Sequence, residues 1–158
     1  MRWSDITWVA DNIVQAMVFG IFLALVVIVL DVLLSSHVPA RLLDDGGMNE
    51  LIFHKRSVVH IAIIALLVSF CEELLFRGII QPYLGIWLTG LLFTVIHFRY
   101  IKKWIILVNI SLVSIGLGVL VELTGQLLPA IVGHFAIDFV LGILIRFKLI
   151  KKKKDFGR

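Results

Sequence analysis

The sequence predicts an all-α, polytopic integral membrane protein with about five transmembrane helices, on three observations. Of the 158 residues, 60% are hydrophobic and only 16% are charged, and the mean hydropathy is +1.04, whereas a soluble domain holds about 45–50% apolar residues. The apolar residues fall in runs of about 20, the length needed to cross a hydrocarbon core of about 30 Å at 1.5 Å per residue. The basic residues flank those runs instead of interleaving with aromatics on a polar scaffold. The formal charge of +4 and isoelectric point near 9.5 therefore point to a membrane surface and not to nucleic acid.

Residues 1–12 are polar, without a basic leader or a small-residue cleavage site, so no targeting peptide is expected to be removed. Residues 13–34 are apolar apart from Gln15 and Asp31 and form the first helix. Residues 35–57 hold Pro39, the Gly46-Gly47 pair and several charges, the marks of a loop, with a small interfacial turn at 51–53. The second helix is expected over 57–81, stopping at Pro82, because proline cannot continue a helix interior. The third begins near Gly85 and carries 86–98, with Arg99, Lys102 and Lys103 at its far interface. The fourth, 104–123, contains Asn109, Ser111, Ser114, Gly116 and Gly118, small or weakly polar residues that suit close packing between membrane helices. After a turn at 124–129, the fifth helix covers 130–150 and runs into a basic tail, 151–158. No internal repeat and no linker divides the chain. Residues 1–158 are expected to form a single membrane domain, with one helix (13–34) ahead of a four-helix core (57–150).

Cytoplasmic flanks carry the excess of Lys and Arg. Five helices place the Arg41/Lys55/Arg56 loop, the Arg99/Lys102/Lys103 loop and the tail on one side, where 13 of the 15 basic residues lie. The amino terminus is therefore expected outside the cell membrane and the carboxyl terminus in the cytoplasm, with Lys151, Lys152, Lys153 and Lys154 touching anionic lipid.

The functional signal lies at residues 69–77, where Glu72, Glu73 and Arg77 interrupt an apolar run. An ionisable side chain near the bilayer centre costs roughly 2.5–3.5 kcal/mol on insertion scales, so a helix that keeps three uses them. Glu73 and Arg77 are spaced i,i+4 with the acid on the amino-terminal side, the favourable order for an ion pair. This predicts a structural pair and leaves Glu72, rotated about 100° around the helix, for chemistry. The midpoint between Glu72 and His97 falls at the turn between Leu84 and Gly85, so both lie about 18 Å from that turn by helical rise. His134 and Asp138, also i,i+4, lie about 12 and 18 Å below the turn that precedes the fifth helix. Four ionisable groups from three helices thus reach one level. Taken singly, each has a structural reading: His134 as a satisfied core histidine, Asp138 as its packing partner, Asn109 and the serines as contacts between helices, Phe76, Phe93 and Phe135 as core. Packing does not account for their convergence, since polar intramembrane groups cost free energy unless partnered or functional. The single cysteine, Cys71, excludes an internal disulfide and any multi-cysteine zinc site.

The ordered series Glu72-Glu73-x-x-x-Arg77, Phe93-x-x-x-His97 and His134-x-x-x-Asp138, each motif on a membrane helix, resembles the three motifs of the CPBP family, also called the Abi family. That family contains the type II CAAX prenyl proteases and bacteriocin-processing or immunity-associated proteins, and the resemblance covers about residues 57–150. It implies an all-helical intramembrane endopeptidase, with Glu72 and His97 activating a water and His134 with Asp138 stabilising the oxyanion. Members of the family are described both as metalloproteases and as metal-free glutamate enzymes. The chain is shorter than better-known members, with one helix ahead of the motif core, which implies that an oligomer or an accessory membrane subunit completes the substrate groove.

The chemistry is consistent with the residues themselves. Peptide hydrolysis needs a base for the water, an acid for the leaving amine and donors for the oxyanion. Glu72 can serve as both base and acid, His97 can hold the water, and His134 can donate to the oxyanion. The sequence has no HExxH helix and no G-x-S-x-G elbow. A metal-free site is preferred, so no cofactor is expected. Zn²⁺ is the alternative, with Glu72, His97, His134 and Asp138 as donors. Two other classes compete with the enzyme. A catalytically idle scaffold or bacteriocin immunity protein would keep the fold and bind a peptide. A proton- or cation-coupled transporter would also hold carboxylates at mid-membrane, but five helices without an inverted repeat make a poor carrier. The expected partners are the lipid bilayer and a peptide or prenylated-protein substrate.

Overall fold

The computed structural model describes residues 12–44 and 46–149, and the expectations placed on residues 1–11 and on the tail from 150 lie outside them. Every regular element among the described residues is helical: α1 (Ile13–His37), α2 (Met48–Phe53), α3 (Val58–Glu73), a π-helical segment (Leu74–Ile80), α4 (Gln81–Ile96), α5 (Trp104–Thr124) and α6 (Leu128–Arg146). The starts of α1 and α3 carry side-chain caps of the expected chemistry. Asn12 Oδ1 accepts from the Gln15 N–H at 3.1 Å, and Ser57 Oγ accepts from the His60 N–H at 3.3 Å.

Among the described residues, four helical stretches are long and apolar enough to cross a membrane: Ile13–His37, Val58–Ile96, Trp104–Thr124 and Leu128–Arg146. The second is 39 residues long and, if straight, would extend about 58 Å, nearly twice the hydrocarbon thickness. It is not straight. Gly85 has φ 71° and ψ 173°, a conformation that glycine alone adopts without a steric penalty. Phe76 and Phe93 then meet edge to face with ring centroids 4.8 Å apart, where a continuous helix would separate them by about 25 Å. The chain thus reverses at Gly85 into a hairpin.

The structure moves several expected boundaries. Proline 82 does not end the second helix: it sits in the first turn of α4, directly after the π-helical segment, where a missing N–H costs little. The break falls three residues later, at the glycine. The third helix stops at Ile96, with His97 as its C-cap at φ −86° and ψ 29°, so His97 stands at a helix end and not inside one. The first helix runs a turn further than expected, to His37. The last ends at Arg146, short of 150. Arg146 Nη1 there donates to the His54 carbonyl at 2.8 Å, and Lys148 leaves the helix at φ 53°. The interfacial turn at 51–53 is the end of a six-residue helix, α2.

Helix α6 has α1 on one side and α3 on the other. A stripe of small residues on α1, Ala16, Gly20, Ala24 and Val27, is buried while its other faces are apolar and exposed, as expected of a helix that meets lipid elsewhere. At Gly20 the two backbones nearly touch: an added Cβ would lie 2.5 Å from the Pro129 carbonyl oxygen and 2.9 Å from the Gly133 nitrogen. Such close approach is how membrane helices gain dispersion contacts without a hydrophobic drive between them. Helix α3 packs antiparallel to α6, Ile61 against Gly142 at one end and Glu73 against His134 towards the other. Helix α5 packs on both arms of the hairpin. It accepts hydrogen bonds from Arg77 and Gln81 at Ser114 and Gly118, and its Ser111 pairs with Thr94 at 2.8 Å.

Candidate active site

Glu72 and Glu73 are the last two residues of α3, and the helix widens into its π-helical segment immediately after them. Such segments are rare overall and are frequent at functional sites. Neighbouring positions on a helix point about 100° apart, and the two carboxylates have opposite fates. The side chain of Glu73 is fully buried, while that of Glu72 keeps 30% exposure.

His134, one and a half turns into α6, lies between them. Its Nδ1 is 2.7 Å from Glu73 Oε1. An ionised carboxylate only accepts, so the Nδ1–H donates. Nε2, on the opposite side of the ring, is 3.5 Å from Asp138 Oδ2 and 4.0 Å from Glu72 Oε2. The Asp138 side chain is also 30% exposed. Glu72 and Asp138 form the open edge of the cluster, and His134 is its floor.

Behind the floor, Arg77 is buried completely. Its Nε lies 3.1 Å from Glu73 Oε2, an ion-pair contact whose angle falls outside hydrogen-bond geometry. Nη2 donates to the backbone carbonyl and the hydroxyl of Ser114 at 2.8 and 2.9 Å. The guanidinium carbon stands 5.0 Å from the centroid of the Phe93 ring and 6.0 Å from that of Phe76, within the range of a cation–π contact. An arginine carries five N–H donors, which is why one carboxylate does not suffice and a second helix must contribute.

His97 is half-buried, and its Nδ1 lies 2.7 Å from the Phe93 carbonyl oxygen, which can only accept. This leaves Nε2 as the acceptor of the ring. The ring also packs on Phe93 at a centroid distance of 4.7 Å. Glu72 and His97 each lie one turn beyond the Phe76–Phe93 contact on their respective arms, which puts them at one level. Among the described residues no hydrogen bond or ion pair joins His97 to Glu72, Glu73, His134 or Asp138. The structure thus brings together Glu72, Glu73, Arg77, His134 and Asp138, and holds His97 against Phe93.

Two contributors escaped the sequence reading. Ser114, expected only to aid packing, anchors Arg77, and Glu73 uses its second oxygen on His134. The signal for the first was the donor count of a buried arginine. For the second it was the two oxygens of a carboxylate to which a single partner had been assigned. The donor types of the cluster suit zinc, but among the described residues no three His, Cys, Asp or Glu side chains are grouped as a metal-holding set.

Fold and site together define a polytopic helical membrane protein with a carboxylate–histidine cluster inside its spanning helices, open at Glu72 and Asp138 and closed behind by Glu73 and Arg77. Residues 54–140, more than half of the chain and all six of these polar positions, match the family described as type II CAAX prenyl endopeptidase Rce1-like, and the chain belongs to that family. It is also 40% identical over 136 residues to YpbD, an uncharacterized protein of Bacillus subtilis (strain 168), covering 86% of this chain and 72% of that one. No solved structure matches the chain significantly.

Proposed function

We propose that the protein is an intramembrane endopeptidase of the CAAX prenyl protease type that hydrolyses a peptide bond with a water activated by Glu72 and His97. The observation that carries this reading is the convergence of Glu72 and Asp138 on Nε2 of His134 at the exposed edge of a cluster whose other half is buried. Family membership supports it. Glu72 takes a proton from water as the water oxygen bonds to the scissile carbonyl carbon, and His97 Nε2, free of its backbone contact, holds that water. The oxyanion accepts from Nε2–H of His134. A ring protonated on both nitrogens is compensated by the three carboxylates around it, and Asp138 keeps Nε2 in line. Collapse of the adduct breaks the C–N bond, and Glu72 returns its proton to the leaving amine.

The substrate of this proposal is a peptide or prenylated protein that reaches the cluster from the half of the bilayer bordered by the basic loops, which we place in the cytoplasm on the Lys and Arg count. An oligomer or accessory membrane subunit is the proposed source of further groove surface. The test compares membrane peptides from cells carrying wild type and Glu72→Gln, expecting one or more substrates to persist uncut in the variant. Identical peptide profiles, with both proteins inserted at equal levels, would leave the chain as a binding scaffold and overturn the enzymatic reading.

A further inference from the structure

We propose that Glu73 is a positioning residue for His134, setting the proton on Nδ1 and aiming Nε2 at the reacting carbonyl, and that Arg77 and Ser114 fix Glu73 for this task. The inference rests on the proposed role of His134 as oxyanion donor. Glu73 divides its two oxygens between two elements: Oε1 faces His134 Nδ1 at 2.7 Å, and Oε2 faces Arg77 Nε at 3.1 Å. Both acidic and basic side chains are fully buried, so neither contact is diluted by water. Because the carboxylate can only accept, Nδ1 must carry a proton, and the ring can neither rotate about its axis nor give up that proton without losing the bond. The hydrogen bonds from Arg77 Nη2 to Ser114, at 2.8 and 2.9 Å, tie the pair to α5. A path of direct contacts therefore runs from Ser114 through Arg77 and Glu73 to His134, crossing α5, the π-helical segment, α3 and α6. A carboxylate needed only to neutralise Arg77 would have no reason to place its other oxygen on the histidine that faces Glu72 and Asp138.

Glu73→Gln separates positioning from packing because it preserves shape. Its amide must offer one oxygen and one NH₂ where the carboxylate offered two oxygens. The Arg77 guanidinium, whose Nε lies 3.1 Å from that position, holds the amide oxygen by its charge, so the NH₂ turns to His134 and demands an unprotonated Nδ1. The ring should lose its Nδ1 proton, and with it the positive charge that strengthens the Nε2–H donor. The experiment is ¹⁵N NMR of histidine-labelled full-length protein in lipid nanodiscs, with the His134 signals assigned by their loss in His134→Asn, together with cleavage kinetics on a substrate found by the peptide comparison. Wild type is expected to show a protonated Nδ1 with a downfield hydrogen-bonded proton, and Glu73→Gln an unprotonated Nδ1. kcat should fall about 10²–10⁴-fold with KM unchanged, as orienting partners of catalytic groups do elsewhere. Glu73→Gln/Arg77→Met frees the amide to turn its oxygen back and should restore the Nδ1 proton.

An unprotonated Nδ1 in wild type overturns the proposal without any variant, even if Glu73→Gln fails to fold. So does a His134 spectrum that Glu73→Gln leaves unchanged, or a loss confined to KM. If wild type cleaves nothing, the endopeptidase reading falls while the NMR result still decides whether Glu73 sets His134.

Discussion

Removing Arg77 tests how the buried pair behaves when half of it is gone. Arg77→Ala deletes a cation with no exposed surface from beside a carboxylate that also has none, 3.1 Å away. At that distance the Coulomb attraction is about 5 kcal/mol for an effective dielectric of about 20, and breaking a buried pair from one side typically costs about 3–5 kcal/mol. Glu73 keeps its bond to His134 at 2.7 Å, which compensates part of the stranded charge, so the expected loss is at the lower end, about 3 kcal/mol. The lost hydrogen bonds to Ser114 and ring contact with Phe93 oppose any smaller value. The assay is unfolding by sodium dodecyl sulfate titration in mixed micelles, followed by circular dichroism, for wild type, Arg77→Ala, Glu73→Ala and the double variant. The two single losses should not add: the double variant should be less destabilised than their sum by about 1–3 kcal/mol, the coupling of residues in contact. A midpoint for Arg77→Ala equal to that of wild type, or additive losses in the cycle, would refute a stabilising pair.

Glu72→Gln and His97→Ala are each expected to abolish cleavage with insertion intact, and their effects should not add because both act on one water; normal turnover by Glu72→Gln removes that assignment. Gly20→Ala should destabilise the helix packing by about 1–3 kcal/mol, since its Cβ would press on backbone atoms of α6 at 2.5 and 2.9 Å. Gly116→Ala should do little, as it meets only the end of the Leu23 side chain at 3.3 Å; equal midpoints for the two variants in the same titration would contradict the close α1–α6 contact. Cleavage by purified protein is expected to survive exhaustive chelation. One stoichiometric zinc by elemental analysis, with activity lost to chelator and restored by Zn²⁺, would recast the histidines as ligands.

Much of this architecture is a local property of the chain and so could be read from it. A run of about 20 apolar residues has few options other than a membrane span, so the helices from Trp104 and Leu128 were expected within a few residues of their observed starts. The level shared by Glu72, His134 and Asp138 followed from helical rise measured from two turns, and the Glu73–Arg77 contact from i,i+4 spacing. The turn at Gly85 agrees with the midpoint between Glu72 and His97, whereas the end of the second helix differs by three residues. Pro82 reads as a helix breaker, but its position just past the π-helical segment removes the penalty, and the break passes to Gly85, where the backbone needs a positive φ.

The sequence alone therefore determined an all-helical membrane protein and the set of polar residues it carries inward, because hydropathy and helical periodicity act over a few turns of one chain segment. Tertiary packing decided which of those residues touch. Nothing near Glu73 in sequence shows that its second oxygen meets a ring 61 residues away, nor that Ser114 and not Asn109 or Ser111 receives Arg77. Those choices depend on the closeness of α6 to α3 and on the rotation of α5 against the hairpin. Both are set by where glycine and alanine let backbones approach, a property of pairs of helices that no single helix contains.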